Sequence, residues 1–192
     1  MGRKALMCGA IVTTILGCQA GSETQATAEA NAGASTWKDV QVADIEDMRS
    51  KFEQLAEAFD ETQYDWQPMD SVRSVRDVLG LAVAEAHLFP TGWGYDAPAS
   101  SSPDFGTELQ RAGSLSKAEM IQELDVSFDF LVDVVGSMSE EERMSDGSYF
   151  GRAMPVHASV ATAMADMHEH LGQLIAYART NQVVPPWSAG NQ

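Results

Sequence analysis

Four stretches of this chain repeat their apolar residues at steps of three and four, and none alternates with period two long enough to read as a strand. That pattern restricts the fold to helices that each hide one face against the others. The first stretch carries Val42, Ile45, Met48, Phe52, Leu55 and Phe59, and ends at Tyr64–Pro68. The second covers Ser71 to Phe89, with Val75, Val78, Leu79, Ala82, Val83 and Ala86, and stops at Pro90 and the Gly92–Gly94 turn. The third opens on a capping box, Ser116 to Glu119, with Leu115 and Met120 placed as a hydrophobic staple; Ile121, Leu124, Phe128, Leu131 and Val135 follow. The fourth begins after Pro155 and runs to about Asn181, ahead of Val184-Pro185-Pro186-Trp187. Residues 91–114 are rich in Gly, Pro, Ser and Asp and read as a long irregular crossover, anchored by Trp93, Tyr95 and Phe105. The expected fold is all-α, a four-helix bundle with a long crossover between helices 2 and 3.

The N-terminus reads as an address. Arg3 and Lys4 precede a charge-free, mostly apolar run from Ala5 to Gly17, which is too short to cross a membrane as a helix of about 20 residues. The run ends Ile15-Leu16-Gly17-Cys18, which resembles the bacterial lipobox, where the cysteine is lipidated and becomes the first residue of the mature protein. Residues 1–17 are therefore expected to be a lipoprotein signal peptide. Residues 18–36 lack large apolar side chains and are expected to be a flexible tether from lipidated Cys18. Residues 37–192 then form the bundle. No aspartate follows Cys18, which in a double-membraned cell directs the expectation to the cell envelope and the periplasmic face of the outer membrane.

Charge and cysteine content remove several function classes. The net charge is −16, and cleavage at Cys18 would make it −18, because the leader holds two basic residues and no acid. With no basic stripe, nucleic acid is excluded as a partner, since phosphate backbones demand clustered Lys and Arg. Cys8 and Cys18 are the only cysteines, so the domain itself has no disulfide, thiolate ligand or thiol nucleophile. Di-iron Glu-x-x-His pairs, haem attachment motifs, phosphate-binding glycine loops and His-Glu-x-x-His are also missing.

Several segments together resemble the DinB superfamily from about residue 44 to residue 188. Tyr64–Pro68 followed by Val72-Arg73-Ser74-Val75-Arg76-Asp77-Val78-Leu79 is similar to the family's entry into its second helix. His168-Glu169-His170-Leu171-Gly172-Gln173-Leu174-Ile175-Ala176-Tyr177-Ala178-Arg179 is similar to its last helix, and Val184–Ser188 to a tail found in one branch. The resemblance implies a four-helix bundle, often with one divalent metal ion, Zn or Ni among them, held by three histidines. Some members transfer low-molecular-weight thiols, and DNA binding is not implied.

The ligand positions depart from that pattern. The family's second-helix histidine falls seven residues after Ser74, on Leu81, which cannot coordinate a metal. The two last-helix ligands fall on Asp166 and His170, one turn apart and facing the same way. A carboxylate and an imidazole can share a Zn-like ion. His87 is the candidate third ligand, although it lies about 240° round the helix from Leu81. Gln173 and Tyr177 continue the line of Asp166 and His170 within about 60°, as a pocket wall or a solvated face, and His168 is a further pocket candidate on the opposite side. His157 is expected to be structural. These residues leave two functions open. The favoured one is a membrane-anchored DinB-like domain with a degenerate metal site, no bound metal, and a binding or structural role. The alternative is a divalent-metal-dependent enzyme, of transferase or hydrolase type, acting on a small extracytoplasmic substrate. A homodimer through one bundle face is compatible with either.

Overall fold

The computed structural model describes residues 35–102 and 104–189. The signal peptide, Cys18 and the tether up to residue 34 lie outside the described residues. Helix α1 (Trp37–Ala58) starts at Thr36, whose hydroxyl accepts from Asp39 N while the Asp39 carboxylate accepts from Thr36 N. Helix α2 (Val75–Leu88) starts with the same reciprocal cap between Ser74 and Asp77. Helix α3 (Phe105–Gly113) is capped by Asp104, and α4 (Lys117–Ser137) by the Ser116–Glu119 box expected from sequence. A short α5 (Glu140–Met144) leads to strands β1 (Asp146–Tyr149) and β2 (Arg152–Pro155), and α6 (Val156–Thr180) closes the bundle. Each cap satisfies N–H groups that the first turn of a helix leaves without a partner.

The all-α bundle is present, and its four long helices are α1, α2, α4 and α6. Helix α1 packs beside α4 and α6, and so does α2, so the first two long helices face each other across a diagonal. The core is apolar and shared: Ile45, Met48, Phe52 and Leu55 from α1 meet Val78, Leu79, Leu124, Phe128, Leu131, Val160, Met167 and Leu174. Helix α2 is the most enclosed. Every residue from Val78 to His87 is buried, Glu85 and His87 included.

Two features correct the sequence reading. The crossover is not irregular throughout: it holds a 3-10 turn, Phe89–Trp93, and the nine-residue α3, which packs on α2 and buries Glu108 and Ala112. The segment before α6 contains an antiparallel hairpin, β1–β2, with Tyr149 opposite Arg152. Strands of four residues reading Asp-Gly-Ser-Tyr and Arg-Ala-Met-Pro are too short and too polar to show a period of two. Phe150 and Gly151 make the turn with φ of 45° and 76°, the conformation a two-residue type I′ hairpin needs.

The hairpin is held against the bundle by hydrogen bonds and by close approach. Trp93 Nε1 donates to Ser159 Oγ at 2.8 Å, and that hydroxyl donates to the Ser148 carbonyl at 2.8 Å. Gly92 lies so close to β1 that a Cβ there would stand 2.3 Å from the Ser148 oxygen. Gly92→Ala is therefore expected to destabilise the protein by about 1–3 kcal/mol through overpacking, read as a lower melting temperature. Gly172→Ala, where a Cβ would meet nothing within 4 Å, should instead be neutral or stabilising by up to about 1 kcal/mol.

Candidate metal centre

Helix α6 places Asp166 and His170 one turn apart, as the sequence predicts, facing the last turns of α2. The third donor there is Glu85. Its Oε1 lies 3.1 Å from His170 Nε2, and Asp166 Oδ1 lies 3.7 Å from the same nitrogen. One ligand atom of each residue falls within 4.8 Å of the others. Glu85 is 1% exposed and its Oε2 has no hydrogen-bond partner among the described residues. Tyr149, from β1, donates its hydroxyl to Asp166 Oδ2 at 2.8 Å and so fixes how that carboxylate faces the cluster.

The electrostatics follow from burial. Desolvation pushes the Glu85 carboxyl up to about 7, with Asp166 adding to the rise and His170 opposing it. Donation from its Nε2 to the Glu85 carboxylate raises His170 in turn, against desolvation. Burial and then Asp166 hold the Tyr149 phenol far above its ordinary range, so it remains a donor. Both members of the Glu85–His170 contact are thus shifted upward. Two carboxylates and one imidazole converging on a common point, with one buried carboxylate oxygen unpaired, form a donor set that fits a divalent cation.

The other residues singled out in the sequence go elsewhere. Leu81 is buried in α2, one turn before Glu85. His87 points to the opposite side, where Nδ1 donates to Glu108 Oε1 at 2.8 Å and the ring meets Phe130 at 6.4 Å. His87 therefore does not reach the Asp166–His170 pair, as the rotation of about 240° from Leu81 requires. Tyr177 donates to the Arg73 carbonyl at 2.9 Å, accepts from Gln173 Nε2 at 2.7 Å and stands edge-on to Trp66. Those two residues fasten α6 to the segment before α2. His168 faces α1, with Nε2 at 3.0 Å from both oxygens of Asp44. His157 lies 3.3 Å from the Arg143 carbonyl.

A comparison with curated protein sequences finds no match. The family model of the DinB superfamily matches residues 44–174. The chain belongs to the DinB superfamily. Solved structures of the same fold include a DinB-like protein from Bacillus cereus, 12% identical, with a TM-score of 0.59 over 72% of this chain and 89% of that one. YfiT from Bacillus subtilis, described as a probable metal-dependent hydrolase with an unusual four-helix bundle topology, is 15% identical, with a TM-score of 0.59 over 79% of this chain and 93% of its own. The mycothiol-dependent maleylpyruvate isomerase is 16% identical, with a TM-score of 0.54 over 72% of this chain and 61% of its own. As a DinB domain, this chain presents Glu85 where α2 faces α6, one turn beyond the position implied for a histidine. Glu85 was visible in the sequence as the lone charge in Gly80–Ala86; Tyr149 lies on a hairpin that periodicity could not reveal.

A second group of donors, His87, Glu108 and Glu123, also gathers within 4.8 Å, but it already has its cation. The Arg111 guanidinium reaches Glu108 at 2.7 and 2.8 Å and Glu123 at 2.6 Å, and Ser102 N donates to Glu108 at 2.7 Å. Burial pulls the Glu108 carboxyl up, yet Arg111, Ser102 and His87 outweigh it and hold the group down at about 2. A depressed carboxylate stabilises the fold fully above its ordinary value, and that contribution fades as pH falls toward the folded value. Glu108→Gln is therefore expected to cost about 3–5 kcal/mol at neutral pH. It should also flatten the loss of stability between about pH 4.5 and about pH 2, as followed by denaturant melts across that range.

Proposed function

We propose that this protein is a membrane-anchored DinB-domain metalloprotein. In this reading Glu85, Asp166 and His170 hold one divalent cation, and the site acts on a small extracytoplasmic molecule by hydrolase- or transferase-type chemistry. The observation that carries the reading is Glu85, a carboxylate 1% exposed, aimed at His170 with its second oxygen unpaired. Burying such a group without full compensation costs several kcal/mol, and a cation shared with Asp166 would supply the missing partner. The description of YfiT as a probable metal-dependent hydrolase supports the same class.

When bound, a divalent ion at such a site supplies Lewis-acid polarisation of a substrate oxygen or activation of water. The chain's own residues do the rest. Asp166 and Glu85 bring negative charge that favours a cation, and His170 offers Nε2 once its proton is displaced. Tyr149 orients Asp166 from behind, as partners of ligating carboxylates do. His170 and Asp166 keep 15% and 23% of their side-chain surface exposed, so a substrate would approach from their side while Glu85 lies beneath.

A scaffold without metal is the competing reading, favoured by Leu81 and by the direct Glu85–His170 contact, which pairs those groups without a cation. Metal analysis of the full chain after exposure to Zn, Ni and Mn separates the two. About one equivalent is expected, lost in Glu85→Gln, Asp166→Asn and His170→Ala and kept in His87→Ala. Tyr149→Phe should weaken retention by about 10- to 100-fold. No retained metal in the unaltered chain would establish the scaffold.

The anchor is a separate part of the proposal, carried by the Leu16-Gly17-Cys18 motif behind a charged and then apolar leader. Expression in a bacterium fed labelled palmitate should give a labelled protein in the membrane fraction. Cys18→Ser should lose the label; equal labelling of that variant would remove Cys18 as the lipidation site.

A further inference from the structure

The hairpin turn contains a residue that the turn does not require. Phe150 adopts φ of 45°, a conformation costly for a bulky side chain and readily taken by Asn or Gly. The residue is also 59% exposed. Backbone strain and exposed apolar surface therefore fall on the same residue, where the Asn-Gly pair usual for this turn would carry neither.

The ring instead forms one wall of a cleft of about 180 Å³, lined by Phe89, Phe105, Phe150, Thr91, Gly92 and Ser148. Phe150 meets Phe89 at 5.4 Å and Phe105 at 5.2 Å, both edge-on. The cleft is open to solvent and mixes aromatic rings with the polar groups of Thr91, Gly92 and Ser148, and its volume is of the size of one aromatic ring. Tyr149 packs behind the aromatic wall of the cleft, on the side of the donor cluster. The Tyr149 ring lies 4.9 Å from Phe150 and 5.5 Å from Phe89, while its hydroxyl holds Asp166 at 2.8 Å. Phe89 itself stands one turn beyond Glu85 at the end of α2. One tyrosine side chain thus spans from the aromatic wall to the carboxylate.

We infer that this cleft seats the aromatic ring of the small molecule on which the site acts, with a short arm carrying a metal-coordinating oxygen past Tyr149 toward Asp166 and His170. The inference rests on the metal reading for the direction of the arm, and on the cleft alone for the ring.

Fluorine NMR of the full chain with 4-fluorobenzyl alcohol as a neutral probe and 4-fluorophenylacetate as a charged one tests both parts. The neutral probe should bind saturably with or without Zn(II). Phe150→Asn should weaken it at least about tenfold in a chain that remains folded, because the relaxed turn offsets the aromatic contacts that are lost. Thr91→Trp, which fills the cleft, should abolish it. Zn(II) should tighten 4-fluorophenylacetate alone, and Glu85→Gln should remove that gain. Equal binding by Phe150→Asn, or no saturable binding in a chain that retains zinc, would overturn the ring seat. Ring binding that persists in a chain unable to retain zinc would uphold the seat and overturn the metal reading instead.

Discussion

Helix α2 is enclosed on every side over its last turns, and it carries two ionisable side chains into that enclosure. Glu85 and His87 are two residues apart, so they leave the helix in opposite directions. A buried carboxylate or imidazole without a partner is costly, and each therefore fixes a neighbour. Glu85 faces His170 and Asp166 on α6; His87 faces Glu108 on α3, which Arg111 then ties to Glu123 on α4. The placement of α3 and α6 around α2 is coupled to these polar pairings as well as to the apolar core.

The two pairings have different chemical outcomes because of what completes them. Around Glu108, an arginine, a backbone amide and a histidine supply donors, and the carboxylate is held ionised. Around Glu85, the only close donor among the described residues is His170, and desolvation pushes the carboxyl up. A group already neutralised by a fixed guanidinium has little use for another cation. Both clusters offer two carboxylates and one imidazole, and each has a buried polar atom without a partner, Glu85 Oε2 and His87 Nε2; the absence of a guanidinium paired with Glu85 among the described residues is why the candidate centre lies there.

Much of the bundle was legible in the residues. The steps of three and four marked all four long helices, and the Ser116–Glu119 box and Pro155 set two of their starts to within a residue. The α6 half of the candidate centre was also legible, since Asp166 and His170 must share a face. What could not be read was whatever depends on contacts between elements. Helix α3 is amphipathic, but it is only nine residues long and set among Gly, Pro and Ser residues that read as loop. The hairpin owes its position to Gly92, Ser148 and Ser159 rather than to alternation, and Tyr149 comes with it. Glu85 lies one turn beyond Leu81, the position that the family resemblance singles out, and a lone charge in an apolar run does not by itself mark a ligand.

The diagonal placement of α1 and α2 has a consequence for how the chain reaches its native state. Of the three successive pairs of long helices, only α2 and α4 are neighbours; α1 must wait for α4 or α6, and α4 and α6 lie across the other diagonal. No helical hairpin of adjacent partners can form early at either end of the domain. Native pairings are therefore distant along the chain, and the domain should fold more slowly than an up-and-down bundle of equal size.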